Sequence, residues 1–135
     1  GWLPWSARSA SASPPEPRRR TNEIVREIAG MRHRRLGGSD VVVSELGLGT
    51  QRWGSADFNA PDEALCHAML DRAVDAGINL VDTAEQYPIP SDEDAGRPEG
   101  STEAIIGRWI AQSPGRREKL VIASKITGGP NVTPR

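Results

Sequence analysis

The chain has 135 residues, 36% hydrophobic and 26% charged, with a formal net charge of −1, which suits one modest globular domain. That balance hides a split, because residues 1–40 carry 8 basic against 4 acidic side chains and residues 41–135 carry 9 against 14. A basic leader on an acidic body argues against a nucleic-acid module, whose basic residues gather on the folded part, and a single cysteine, Cys66, excludes an internal disulfide framework.

In chain order, residues 1–20 (GWLPWSARSASASPPEPRRR) are rich in Ser, Pro and Arg with one acid, Glu16. Such a composition cannot bury a core. It reads as the tail of an organelle transit peptide, as a disordered leader, or as translated sequence ahead of a start at Met31. Cytoplasm and plastid are the locations these readings imply. Thr21-Asn22 then predicts a short helix through Ala29, with Ile24, Val25 and Ile28 as its stripe and Gly30 as its stop. Residues 1–30 are thus taken as a leader and 31–135 as the folded domain.

From residue 31, RHRRLG, a turn at Gly38-Ser39-Asp40 and VVVSELGLGT predict a hairpin running into a strand. Arg34-Arg35 read as a solvated face. Asn59-Ala60-Pro61-Asp62-Glu63 predicts a helix start capped by Asn59. Leu65, Ala68, Met69, Ala73 and Ala76 repeat at helical spacing, Cys66 and Met69 read as packing residues, and Gly77 ends the helix. Residues 78–83 (INLVDT) predict a buried strand. Gly100-Ser101-Thr102-Glu103 opens a second helix, with Ile105, Ile106, Trp109 and Ile110 facing inward and Trp109 as the anchor. KLVIASK (119–125) is a third strand. Between Pro88 and Gly100 lies an acidic loop with Asp92, Glu93, Asp94 and Glu99, read as a solvated flexible lid. It is long for a βα loop, usually about 2–6 residues.

Alternating strands and helices imply right-handed βαβ units and a parallel sheet. A doubly wound sheet and a (β/α)8 barrel both satisfy that. GLGTQRWG places Arg52 where a dinucleotide fingerprint needs its third Gly, and the helix starts about ten residues later rather than at once. A Rossmann unit is therefore disfavoured, and a Walker A pattern is absent. No apolar run approaches the roughly 18 residues of a membrane helix, so no membrane insertion is expected.

Thr50, Asp82 and Lys125 sit at or just past strand C-termini, and Tyr87 follows the second strand. In a barrel those ends share one mouth. A phenol donates its proton reluctantly at neutral pH, and a neighbouring ammonium eases the transfer. Lys125 could supply that ammonium, Asp82 could hold it, and Tyr87 would act as general acid to a carbonyl oxygen. The hydride that completes a carbonyl reduction comes from no side chain, so a nicotinamide cofactor is implied. Trp53, just past the first strand, is a candidate for the mouth. The acidic loop could alternatively bind a cation or select substrates.

GLGTQRWG, DAGINLVDTAEQY, GSTEAIIGRWI and KLVIASK together resemble the aldo-keto reductase family over roughly residues 33–127. NLVDTAEQYP is most similar to its Tas-like and potassium-channel β-subunit-like branch. The resemblance implies the N-terminal portion of a (β/α)8 TIM barrel: a hairpin, about three strands and two helices. It implies NADP(H), bound without a Rossmann motif, and reduction of an aldehyde or ketone. It matches Asp82, Tyr87 and Lys125 to the first members of the catalytic tetrad, and Thr50, Gln51 and Asp82 to cofactor contacts, with no metal. The tetrad His follows the fourth strand and the phosphate-binding residues come from the last strands. Both would fall beyond Arg135, and neither His33 nor His67 is placed to substitute. The stretch is therefore expected to be an incomplete reading frame, inactive by itself. The rival expectations are a cofactor-binding partner module of the channel β-subunit type and a truncated product without function.

Overall fold

The computed structural model describes residues 23–126; the proposed leader up to Asn22 lies outside them. Two three-stranded sheets, two α-helices and a single 3-10 turn at Arg117–Lys119 make up the regular structure of the described residues. The first sheet is antiparallel, in the order β1 (Ile24–Ile28), β2 (Met31–Arg35), β3 (Val42–Ser44). The second is parallel: β4 (Gly47–Gly49), β5 (Leu80–Asp82) and β6 (Val121–Ala123). Helix α1 (Glu63–Asp75) joins β4 to β5, and α2 (Ser101–Ala111) joins β5 to β6. This is the N-terminal part of a (β/α)8 barrel, preceded by a sheet at the barrel's N-terminal end.

The helix expected through Ala29 is instead strand β1. Ile28 pairs with Met31 across a two-residue turn, and Ala29 (φ 50°) and Gly30 (φ 80°) both have positive φ, as a tight hairpin turn of matching twist requires. Ile24, Val25 and Ile28 fit helical spacing, but two of these are β-branched isoleucines and one a valine, which suit a strand equally well. Pairing with β2 decides between the two. The turn also docks: a Cβ on Gly77 would lie 2.2 Å from the Ile28 carbonyl oxygen. Gly77 thus both ends α1 at positive φ and leaves room for the β1–β2 turn.

The β2–β3 hairpin forms as expected, with Arg35 opposite Val42. Its arginines are ion-paired rather than merely solvated: Arg32 and Arg34 bond Glu45, and Arg35 lies 3.1 Å from Asp40. At Ser44 the chain leaves the antiparallel sheet for the parallel one. Ser44 Oγ donates to the Leu46 carbonyl (2.6 Å) and accepts from Asn79 N (3.1 Å). Asn79 answers with Oδ1 accepting from Ser44 N (2.7 Å) and Nδ2 donating to the Val42 carbonyl (3.0 Å). A single asparagine before β5 therefore ties the two sheets together.

Helix α1 is capped by Asp62, not Asn59: the Asp62 carboxylate accepts from Leu65 N at 2.8 Å. Both residue types cap well, and the geometry selects the later one. The buried face is Cys66, Leu70 and Ala73, where burial pushes the Cys66 thiol up to about 11. The expected stripe shares only Ala73 with it. Leu65, Ala68, Met69 and Ala76, with Leu48 and Ile78, line an open apolar groove of about 410 Å³ beside the edge of β4. The core proper joins Trp53, Leu70, Val81, Ile105, Ile106, Trp109 and Leu120. Trp109 anchors α2 as expected, and its Nε1 donates to Asp71 of α1 (2.9 Å) while the Arg116 guanidinium lies 4.3 Å from its ring centre.

Asn79→Ala should destabilise the N-terminal sheet by about 2 kcal/mol, because the buried Ser44 N–H loses its acceptor. Hydrogen exchange at Ser44 in the full-length protein, together with urea unfolding, checks this. An unchanged Ser44 exchange rate would show that the link does not hold the sheets together.

Candidate active site

Parallel pairing sets Gly49, Asp82 and Ala123 in one row, so the three strands finish side by side. The pairing continues past the strands, with Thr83 N donating to the Ala123 carbonyl (2.9 Å) and Glu85 N to the Lys125 carbonyl (3.2 Å). Thr50, one residue beyond β4, donates its hydroxyl to the Asp82 carbonyl at 2.8 Å and is fully buried. That bond staples two strand ends, a structural role the sequence did not suggest.

Asp82 and Lys125 meet directly. Lys125 Nζ donates to Asp82 Oδ1 at 2.8 Å and to the Thr83 carbonyl at 2.7 Å, and lies 5.2 Å from the Tyr87 ring centre. The hydrogen bond to Asp82 raises the Lys125 pKa above the ordinary lysine value, with smaller upward pushes from the Asp82 charge and from Tyr87. The Asp82 and Lys125 side chains are about half exposed, 51% and 44%, so solvent screens the pair.

Tyr87 is placed by its backbone. Its N–H donates to the Ala84 carbonyl (3.1 Å), and its carbonyl accepts from Gly100 N (2.9 Å) and Thr102 N (3.4 Å) at the start of α2. Three of the residues singled out from sequence therefore converge: Asp82, Lys125 and Tyr87. Thr50 and Gln51 share with Asp82 and Tyr87, though not with Lys125, a cavity of about 500 Å³ that also reaches Arg52 and Asn59. The Gln51 amide has no hydrogen-bond partner among the described residues. A cavity of similar volume, about 510 Å³, opens around His33 and Asn79 under the N-terminal sheet. It is lined by none of these mouth residues.

Trp53 borders the mouth cavity yet is only 4% exposed and sits in the core. Its carbonyl accepts from Thr102 Oγ1 (2.7 Å). The long acidic loop is pinned rather than a free lid. Ile89 N donates to the Gln51 carbonyl (2.9 Å), Ser55 Oγ to the Pro90 carbonyl (2.9 Å), and Arg97 to the Ser55 carbonyl. Asp92 and Arg97 bridge across it. Among the described residues no three His, Cys, Asp or Glu side chains cluster as metal ligands would. His33 is buried in β2, and His67 bonds the Ile105 carbonyl and Gln112 between the helices. Neither is bonded to Asp82, Tyr87 or Lys125.

Strands ending at a shared mouth with an Asp, a Lys and a Tyr in contact define a barrel-enzyme type of site. The aldo/keto reductase family profile matches residues 45–134, and the chain belongs to that family. The protein Tas of Escherichia coli K12 is 48% identical over 100 residues, which is 73% of this chain and 26% of that protein. The uncharacterised oxidoreductase YrpG of Bacillus subtilis 168 is 40% identical over 96 residues, 71% of this chain and 26% of that one. A crystal structure from Pseudomonas aeruginosa assigned to the aldo-keto reductases superposes with a TM-score of 0.54 at 36% identity, covering 70% of this chain and 30% of that one. The chain thus spans about a quarter of the length of these curated relatives.

Asp82→Asn should let the Lys125 ammonium titrate closer to the ordinary lysine value, near 10.4. Because the pair raises the lysine pKa, its stabilisation is complete below the unfolded lysine value and is lost as pH climbs through the folded one. NMR titration of the lysine Cε carbons reads this directly. A midpoint unmoved by the substitution would mean that Asp82 does not set the charge.

Proposed function

We propose that this site reduces the carbonyl of an aldehyde or ketone with NADP(H), and that Tyr87 is the proton donor. The observation that carries the proposal is the Lys125 ammonium held on Asp82 at 2.8 Å with the Tyr87 ring 5.2 Å away, at the C-terminal ends of parallel strands. The preference for NADP(H) over NADH rests on the family resemblance.

The described residues fit the reactive end of such a cofactor. The cavity beside Gln51 and Tyr87 is open, a Cβ on Gly49 would meet nothing within 4 Å, and the unpartnered Gln51 amide faces a space suited to a flat amide-bearing ring. Gln51 and the Thr50 backbone would hold that end. When bound, the cofactor supplies a hydride to the carbonyl carbon.

Tyr87 then gives its hydroxyl proton to the carbonyl oxygen as negative charge builds there. Lys125 stabilises the phenolate that remains, and Asp82 keeps the ammonium charged and aimed. The balance is one carbonyl, one hydride from the reduced cofactor and one proton giving an alcohol and the oxidised cofactor. A proton from solvent restores the phenol.

Tyr87→Phe in the full-length protein should lower kcat for aldehyde reduction by about a hundredfold or more while cofactor binding changes little. Retention of a tenth or more of the wild-type rate would remove Tyr87 from the proton-donor role.

A further inference from the structure

We propose that Arg52 makes this site selective for carbonyl substrates that carry an anionic group, a carboxylate or a phosphate. The inference rests on the reductase function proposed above and concerns which carbonyls the same mouth accepts.

Arg52 lines the cavity that Asp82 and Tyr87 also line. Its guanidinium is half exposed and ion-paired. Nη2 donates to Asp57 Oδ2, and Asp57 is itself set by its backbone N–H donating to Ser55 Oγ at 3.2 Å. Ser55 is fully buried and bonded to the Pro90 carbonyl across the mouth. The Arg52 bond holds the Asp57 carboxyl below its usual range, so the pair stays charged. Nη2 is one of several donors on a guanidinium. The remaining N–H groups have no partner among the described residues.

The rest of the wall has the same character. The Gln51 and Asn59 amides border the cavity without hydrogen-bond partners among the described residues. The other charge on the wall, Asp82, is already bonded to Lys125. An entering molecule therefore meets unengaged N–H donors on a wall that Tyr87 shares, with Asp82 and Asp57 already paired. A carboxylate or phosphate can take two N–H bonds from one guanidinium face. A neutral alkyl chain would take none of these bonds, so the anionic substrate alone gains them.

A phosphate of the cofactor is a second source of the same chemistry, and the test separates the two. In the full-length protein, NADPH-dependent reduction of 4-oxobutanoate is compared with that of butanal, which matches it in length and lacks the carboxylate. The expected result is a kcat/KM ratio of about ten or more in favour of 4-oxobutanoate, expressed mainly in KM. Arg52→Gln should bring the ratio close to one, Arg52→Glu should reverse it, and Arg52→Lys should keep part of it. Equal use of both aldehydes by the wild type would overturn the proposal and leave the reductase function standing. A tenfold weaker NADPH affinity in Arg52→Gln with an unchanged ratio would assign the anion to the cofactor and also overturn it. Reduction of neither aldehyde, nor of any other carbonyl, would overturn both together.

Discussion

The lateral register of three short parallel strands governs the rest of this structure. Gly49, Asp82 and Ala123 occupy one row, and side chains alternate between faces along each strand. A slip of one residue would turn Asp82 to the opposite face and move Lys125 out of reach. Register is secured at both ends. Asn79 and Ser44 lock the chain before β5, and the Thr50 hydroxyl holds the Asp82 carbonyl after it. Between those clamps Val81 is 1% exposed and packs in the core, which leaves the strand no apolar-neutral alternative.

From that row the two ends of the half-barrel acquire different characters. The N-terminal end carries an antiparallel sheet whose turn presses on Gly77 and whose basic strand is matched by Glu45 and Asp40. The C-terminal end stays open and polar, with Lys125 on Asp82 and the loops after β4 and β5 bonded to each other through Gln51, Ser55 and Arg97. The buried apolar core lies between the two helices and the parallel sheet. The cross-links between the helices, Arg108 on Glu63 and Trp109 on Asp71, lie away from the strand termini and do not compete with them.

Helix α1 has two apolar faces, and this explains where its sequence misleads. Cys66, Leu70 and Ala73 pack inward, while Leu65, Ala68, Met69 and Ala76 line the groove beside β4. In a closed barrel a parallel sheet is covered throughout, so a helix flanked by two neighbours needs apolar residues toward both. Helical periodicity reports a stripe but cannot say which neighbour it faces.

The elements that local chemistry determines were legible in the sequence. Apolar runs at Leu80-Val81 and Leu120–Ala123, the Gly77 stop, the Ile105, Ile106 and Trp109 face, and the carboxylate, phenol and ammonium at strand ends all follow from side-chain type and spacing. Residues 24–28 were not legible, because Ile24, Val25 and Ile28 satisfy a helix and a hairpin alike and only hydrogen bonding to β2 separates them. The cap was ambiguous for a similar reason, since Asn59 and Asp62 are both good caps and only one lies in reach of Leu65 N. The Thr50 staple, the pinned acidic loop and the orientation of Arg52 depend on partners 32, 35 and 5 residues distant that leave no local pattern. Sequence alone picked out Asp82, Tyr87 and Lys125 as a carboxylate, a phenol and an ammonium near strand ends. The tertiary structure decided that Asp82 and Lys125 meet, because a 43-residue separation closes only when parallel strands fall into register.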